Sequence, residues 1–198
     1  MTRHAEPVTT EPPTTEPPTT DPPTTEPPDA AVERIVRDLV GTTITAATVV
    51  VERAPVTFLA DAVLERSPVF RDSRAAKAAG FSDIPAPPTF AFVMEAWGAF
   101  PENQTDRSAE GKLRGVIDAL KATGGLILHG EQEFTYHRPL VVGDVLTGDG
   151  RITDVYRKAS KSATMTFLVH ETTWSDKATG EPVVTAKATL IHRLAGER

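Results

Sequence analysis

The sequence predicts an α+β domain in which an antiparallel β-sheet wraps a long central helix, behind a disordered Pro/Thr-rich N-terminal tail. Three observations predict it. The segment Phe90-Ala91-Phe92-Val93-Met94-Glu95-Ala96-Trp97 is apolar almost all round, and a helix without a polar face needs protein on every side. From Leu126 to the C-terminus, stretches of β-branched and aromatic residues alternate with turn residues, the pattern of an antiparallel meander. The N-terminus is a five-residue repeat of Thr, Glu and Pro that cannot fold on itself.

That repeat runs Thr9-Thr10-Glu11-Pro12-Pro13 and recurs over 14–18, over 19–23 with Asp21 in place of Glu, and over 24–28. Paired prolines remove backbone donors and fix φ near −65°, which excludes helix and sheet and favours polyproline II. With few apolar side chains the segment cannot offset the entropy of ordering. Residues 1–29 therefore read as a disordered spacer, or as sequence upstream of the true start, and 30–198 as the folded domain.

Within the domain, Val32, Ile35, Val36, Leu39 and Val40 share one helical face, with Asp29 placed as N-cap and Gly41 just past the end. A strand is expected over 48–51. Pro55 suits the first turn of a second helix that buries Val56, Leu59, Ala60 and Val63. A short Ala-rich helix over 75–79 ends at Gly80. The run Asp83-Ile84-Pro85-Ala86-Pro87-Pro88-Thr89 excludes helix, and Pro88 or Thr89 opens the apolar helix, which continues to about Phe100. Residues 102–122 read as a loop and a covering helix with Leu113, Val116, Ile117 and Leu120 inward. Strands are expected over 126–137, 145–156, 162–174 and 183–192. A buried helix followed by such a meander is the order of a hot-dog fold.

Composition removes several chemistries. There are no cysteines, hence no disulfide, thiolate metal site or cysteine nucleophile. His129 and His137 have neither HxxxH nor HExxH spacing and read as strand histidines, so no metal and no other cofactor is expected. Ser67 lacks a nucleophile-elbow setting. No apolar run approaches the roughly 20 residues that span a bilayer, and the expected location is cytoplasmic, with no membrane partner. The net charge is −6, of which the tail through Asp29 holds −5 (one Arg against six carboxylates). A body near −1 offers no basic stripe for phosphate backbones, so no nucleic-acid partner is expected. Arg71, Arg74 and Lys77 either dock an acidic carrier or form a solvated helix face.

Several motifs, in order, carry a resemblance: Val51-Glu52-Arg53, Pro68-Val69-Phe70-Arg71-Asp72, Ala86-Pro87-Pro88-Thr89-Phe90, Leu128-His129-Gly130-Glu131-Gln132-Glu133-Phe134, His137-Arg138-Pro139-Leu140 and Gly143-Asp144. Together they resemble the N-terminal domain family of MaoC-like dehydratases, and are similar to HadA-like and HadC-like subunits of two-subunit (3R)-hydroxyacyl-ACP dehydratases. Working members carry Gly-Asp-x-Asn-Pro-Leu-His, whose Asp and His are the acid–base pair. The matching residues here are Leu64, Glu65, Arg66, Ser67, Pro68, Val69 and Phe70. Phe70 cannot move a proton. Relatives take an oxyanion donor from the Gly N–H of Ala-His-Gly at the start of the central helix. The match is Ala86-Pro87-Pro88, and proline has no N–H. A one-residue shift would bring Thr89 to that position, where it can donate. Glu65 stands where the acid would be, and equally fits a helix-end carboxylate on the surface.

The resemblance implies a non-catalytic, acyl-chain-binding subunit of a heteromeric dehydratase, acting on an acyl thioester of ACP or CoA. The Asp and His are expected on a catalytic hot-dog partner chain; a homodimer is the other assembly. No residue of this chain is assigned a catalytic role, Glu65 and Phe70 being the degenerate positions. Pro88, Thr89, Phe90, Met94 and Trp97 are expected to bind the substrate. Two alternatives stay open: a self-sufficient thioesterase or dehydratase using Glu65, and a non-enzymatic acyl-thioester-binding module.

Overall fold

The computed structural model describes residues 27–45, 48–98 and 112–196. Helix α1 (Pro28–Val36) begins at the last proline of the repeat, so Asp29 lies in its first turn and is not its cap. Proline needs no N–H there, which explains the earlier start. The helix also stops short of Leu39 and Val40. Gly41, at φ +84°, serves the entry to β1 (Thr43–Thr45), a short strand absent from the sequence reading. Arg157 holds α1 to the sheet: one guanidinium nitrogen donates to Glu33 Oε1 at 2.7 Å and another pairs with Asp29.

Strand β2 (Thr48–Val50) leads into α2 (Arg53–Ala62), which buries Pro55, Val56 and Ala60. A 3-10 turn over Pro68–Phe70 follows, then α3 (Ser73–Ala78), whose N-cap Asp72 accepts the Ala75 N–H at 2.8 Å. Helix α4 (Phe90–Gly98) is the apolar helix; Pro88 and Thr89 form the turn before it rather than its first residues. Its expected end near Phe100 lies outside the described residues. Helix α5 (Lys112–Ala122) precedes the four long strands β3 (Leu126–Tyr136), β4 (Val145–Ala159), β5 (Ala163–Asp176) and β6 (Pro182–Ala195).

The sheet is antiparallel, in the order β1-β4-β5-β6-β3, with β2 also pairing β4. Residues opposite one another share a face. The register therefore builds three rows on one face: Ile152–His170–Ala188–Gln132, Gly150–Thr172–Ala186–Phe134, and Gly148–Trp174–Val184–Tyr136. Helix α4 packs on this face, since Phe90, Ala91 and Met94 join Trp174 and Val184 in the main apolar cluster. A second cluster of Ile44, Ile152 and Leu168 lies against Leu113 and Val116 of α5. Glycine is needed at 148 because a Cβ there would stand 2.9 Å from the Trp174 ring.

Among the described residues the wrapping expected of the apolar helix is incomplete. Phe90, Ala91 and Met94 are buried, but Phe92 is 47% exposed.

Candidate functional site

Leu64 has φ +59°, the one non-glycine residue with positive φ among the described residues. That is the left-handed region, which costs an L-residue about 1–2 kcal/mol and glycine little. Leu64 occupies the position that the resemblance matches to the family's Gly, the residue that suits this backbone conformation. The bend ends α2: the N–H groups of Leu64 and Glu65 donate to Asp61 O at 3.1 Å and Ala60 O at 2.8 Å. Leu64→Gly is expected to raise stability by about 1 kcal/mol, read as a higher urea midpoint at unchanged m-value; a lower midpoint would contradict the strain.

Next along the chain, Glu65 is half-buried and its Oε1 accepts the Ser67 N–H at 2.8 Å, while Ser67 Oγ faces the Val69 N–H at 3.4 Å. The carboxylate thus shapes the turn that carries Phe70. Phe70 ends the 3-10 turn, half-buried, with its N–H on Ser67 O at 3.3 Å. Its ring offers no proton.

The proline run is held by the turn over 138–144. Ala86 N–H donates to Leu140 O at 2.8 Å and Val142 N–H to Ile84 O at 2.9 Å. Arg138 donates to Asp144 Oδ2 at 2.7 Å and to Asp176 Oδ2 at 3.1 Å, and the Val141 N–H donates to Asp144 Oδ2 at 3.0 Å. The Arg138-Pro139-Leu140 and Gly143-Asp144 motifs are thus a structural clamp that fixes the start of α4.

At that start Pro87 is buried, while Pro88 and Thr89 are exposed. The Pro88 carbonyl accepts a hydrogen bond from the Tyr136 hydroxyl of β3. Burial pushes the Tyr136 phenol up to about 12, so it stays a neutral donor. Phe90 and Met94 are buried beneath α4, and the Trp97 side chain lies outside the described residues. Thr89 is accessible, and its carbonyl is taken by the Phe92 N–H at 3.1 Å.

The other singled-out groups disperse. His129 is exposed on β3 and meets the Phe92 ring edge-on at 5.4 Å between centroids. His137, also exposed, has Nε2 3.3 Å from Thr185 Oγ1. Arg71 is bound to Asp61 at 2.5 Å, leaving Arg74 and Lys77 exposed on α3. Among the described residues no group of three or more His, Asp or Glu side chains could hold a metal ion, and no helix is long and apolar enough to cross a membrane.

Sequence reasoning missed His170. It is buried on the α4 face of β5, and burial, with the nearby His129 adding, pushes its imidazole down to about 4. Its signal was parity: counting back by twos from Trp174 gives Thr172 and His170, all on the inward face.

Comparison with known proteins gives this arrangement a family. The FAS1-like dehydratase domain region matches residues 38–186. A UPF0336 protein of Saccharopolyspora erythraea is 36% identical over 149 residues, covering 74% of this chain and 83% of that protein. The C-terminally truncated HadBC (3R-hydroxyacyl-ACP dehydratase) complex from Mycobacterium tuberculosis is similar in fold, with TM-score 0.58, 22% identity, and coverage of 78% of this chain and 97% of that one. A structure described as a MaoC-like dehydratase aligns with TM-score 0.61 and 26% identity over 79% of this chain and 43% of its own. The chain belongs to the FAS1-like dehydratase domain region family, with the hot-dog fold of MaoC-like dehydratases.

Proposed function

We propose that this chain is the non-catalytic subunit of a heteromeric (3R)-hydroxyacyl-thioester dehydratase, holding and shaping the site for the acyl chain while a hot-dog partner supplies the Asp and His. The observation that carries the reading is a double loss. Dehydration needs a group to take the α-proton, a group to protonate the leaving hydroxyl, and a donor for the thioester oxygen as it becomes enolate-like. Phe70 stands where the family's histidine would be, and Pro88 where its backbone donor would be. Glu65 is engaged by the Ser67 N–H, which disfavours the self-sufficient alternative.

The surface supports a partner. Among the described residues β3 pairs only with β6, so an edge of eleven residues has no neighbouring strand on its other side. Long open edges invite pairing with another chain. This one carries exposed Leu126 and Leu128, and its exposed His129 meets the uncovered Phe92 of α4. HadBC is itself a complex. In this reading Pro88 and Thr89 border the acyl site, and Phe90 and Met94 back its wall. A cytoplasmic location and a role in fatty-acid or related lipid synthesis belong to the same proposal.

The test is co-expression with an Asp/His-bearing hot-dog subunit. The pair should copurify and hydrate a trans-2-enoyl thioester. Failure to copurify with any such subunit, or equal hydration by this chain without one, would refute the division of labour.

A further inference from the structure

Among the described residues, several polar groups on the α4 face of the sheet are buried without a hydrogen-bond partner. On β5, Trp174 Nε1, Thr172 Oγ1 and His170 Nδ1 follow one another at two-residue spacing in this condition. Gln132 Oε1, in the same row as His170 but on β3, is the fourth. His170 is 5% exposed and Thr172 fully buried. Buried polar atoms in folded proteins are nearly always paired, and each one that is not costs the fold its desolvation. Four of them in adjacent rows mark a place that the fold keeps polar for a reason other than its own packing.

Its position is informative. One apolar cluster covers the Trp174 row beneath α4, and the other covers Ile152 and Leu168 beneath α5. Between them the rows carry small residues: Gly150, Ala186 and Ala188. The polar groups thus interrupt an otherwise apolar path along the sheet. Their chemistry restricts the occupant. No Lys, Arg, Asp or Glu lies in the three rows, so the sheet itself offers a charged group no counter-ion there. Burial keeps the His170 imidazole neutral at pH 7. The indole N–H donates, the threonine hydroxyl and neutral imidazole can donate or accept, and the glutamine oxygen accepts.

We propose that Thr172, His170 and Gln132 form a subsite for an uncharged oxygen, a ketone or a hydroxyl, carried on an otherwise apolar chain. The proposal deepens the acyl-holding reading and rests on it for the source of that chain: the subunit would favour oxygenated acyl groups over plain ones of equal length.

The probes are heptan-4-one and heptane, which differ in the oxygen, each titrated into the isolated full chain. The imidazole ¹⁵N resonances of His170 and His137 are followed by NMR. The ketone should shift His170 and leave His137 unmoved, and heptane should leave His170 close to its free position. Thr172→Val should weaken ketone binding about fivefold while raising the melting temperature, since an apolar isostere removes an unpaired buried hydroxyl. Gln132→Leu, on the edge strand, should weaken it similarly. An unmoved His170 at saturating ketone, or wild-type affinity in both variants, would overturn the subsite. Enoyl-thioester hydration with a partner, measured on the same preparation, separates the two proposals. Hydration without a ketone response removes only the subsite; a ketone response without hydration from any partner removes only the dehydratase reading.

Discussion

Trp174→Ala should cost the domain about 3–5 kcal/mol, the range for truncating a large buried aromatic. The indole is fully buried and sits at the centre of the main apolar cluster, between the sheet and α4. Gly148 on β4 leaves room for its ring, and Val184 on β6 flanks it in the same row. Trp174 lies on β5, which is paired on both sides by β4 and β6, so the backbone around it has little freedom to collapse into the space. Against a typical stability of about 5–15 kcal/mol, the loss removes a large share of the folding margin. Urea denaturation checks it: the midpoint should fall sharply at unchanged m-value. A loss below about 1 kcal/mol would mean that α4 does not pack on Trp174.

The second large effect is a pH dependence traceable to His170. Its folded pKa is about 4, against an ordinary value near 6.5, because burial penalises the imidazolium. The unfolded chain therefore takes up the proton first as pH falls. Stability is complete above about pH 6.5, declines between 6.5 and 4, and levels off once the folded form is protonated too. The integrated loss is about 3 kcal/mol. Three aspartates titrate below this window. Asp61 is held below its ordinary range by its hydrogen bond with Arg71, Asp83 by the Ile84 N–H, and Asp176 by the Ala178 N–H, so their contributions fade at lower pH. His170→Leu should flatten the stability curve between pH 6.5 and 4. A slope unchanged by that substitution would place the titration elsewhere.

How much of this was legible depended on the kind of signal. The four long strands were readable because β-branched runs and turn residues mark them directly; the C-terminal ends of β4, β5 and β6 ran on by two or three residues, because β-ladders extend as far as a neighbour offers hydrogen bonds, while β3 stopped one residue early. Strand β1, three residues long, has no periodicity to read and exists through its pairing with β4. The α1 cap at Asp29 was misplaced because proline at the first helical position competes with an acidic cap. Apolarity on every side of α4 correctly placed it on the sheet. It could not reveal that Phe92 stays 47% exposed, because apolarity alone does not say which side of a helix its neighbours leave open.

At the candidate site, Phe70 and Pro88 were informative for what their side chains and backbone lack, and sequence alone shows that. The left-handed Leu64 was invisible, since leucine carries no turn signal; only the coordinates show the bend there. His170 went unread for a different reason. Histidine in a strand is unremarkable until the register puts it beneath a helix with Thr172 and Gln132 beside it.

The most direct measurement is the rate at which the purified chain, free of other hot-dog subunits, hydrates a trans-2-enoyl thioester, compared with the same chain carrying Glu65→Gln. The account predicts no turnover above the uncatalysed reaction in either protein. Turnover by the unaltered chain that disappears with Glu65→Gln would contradict it, and would make this polypeptide an enzyme in its own right.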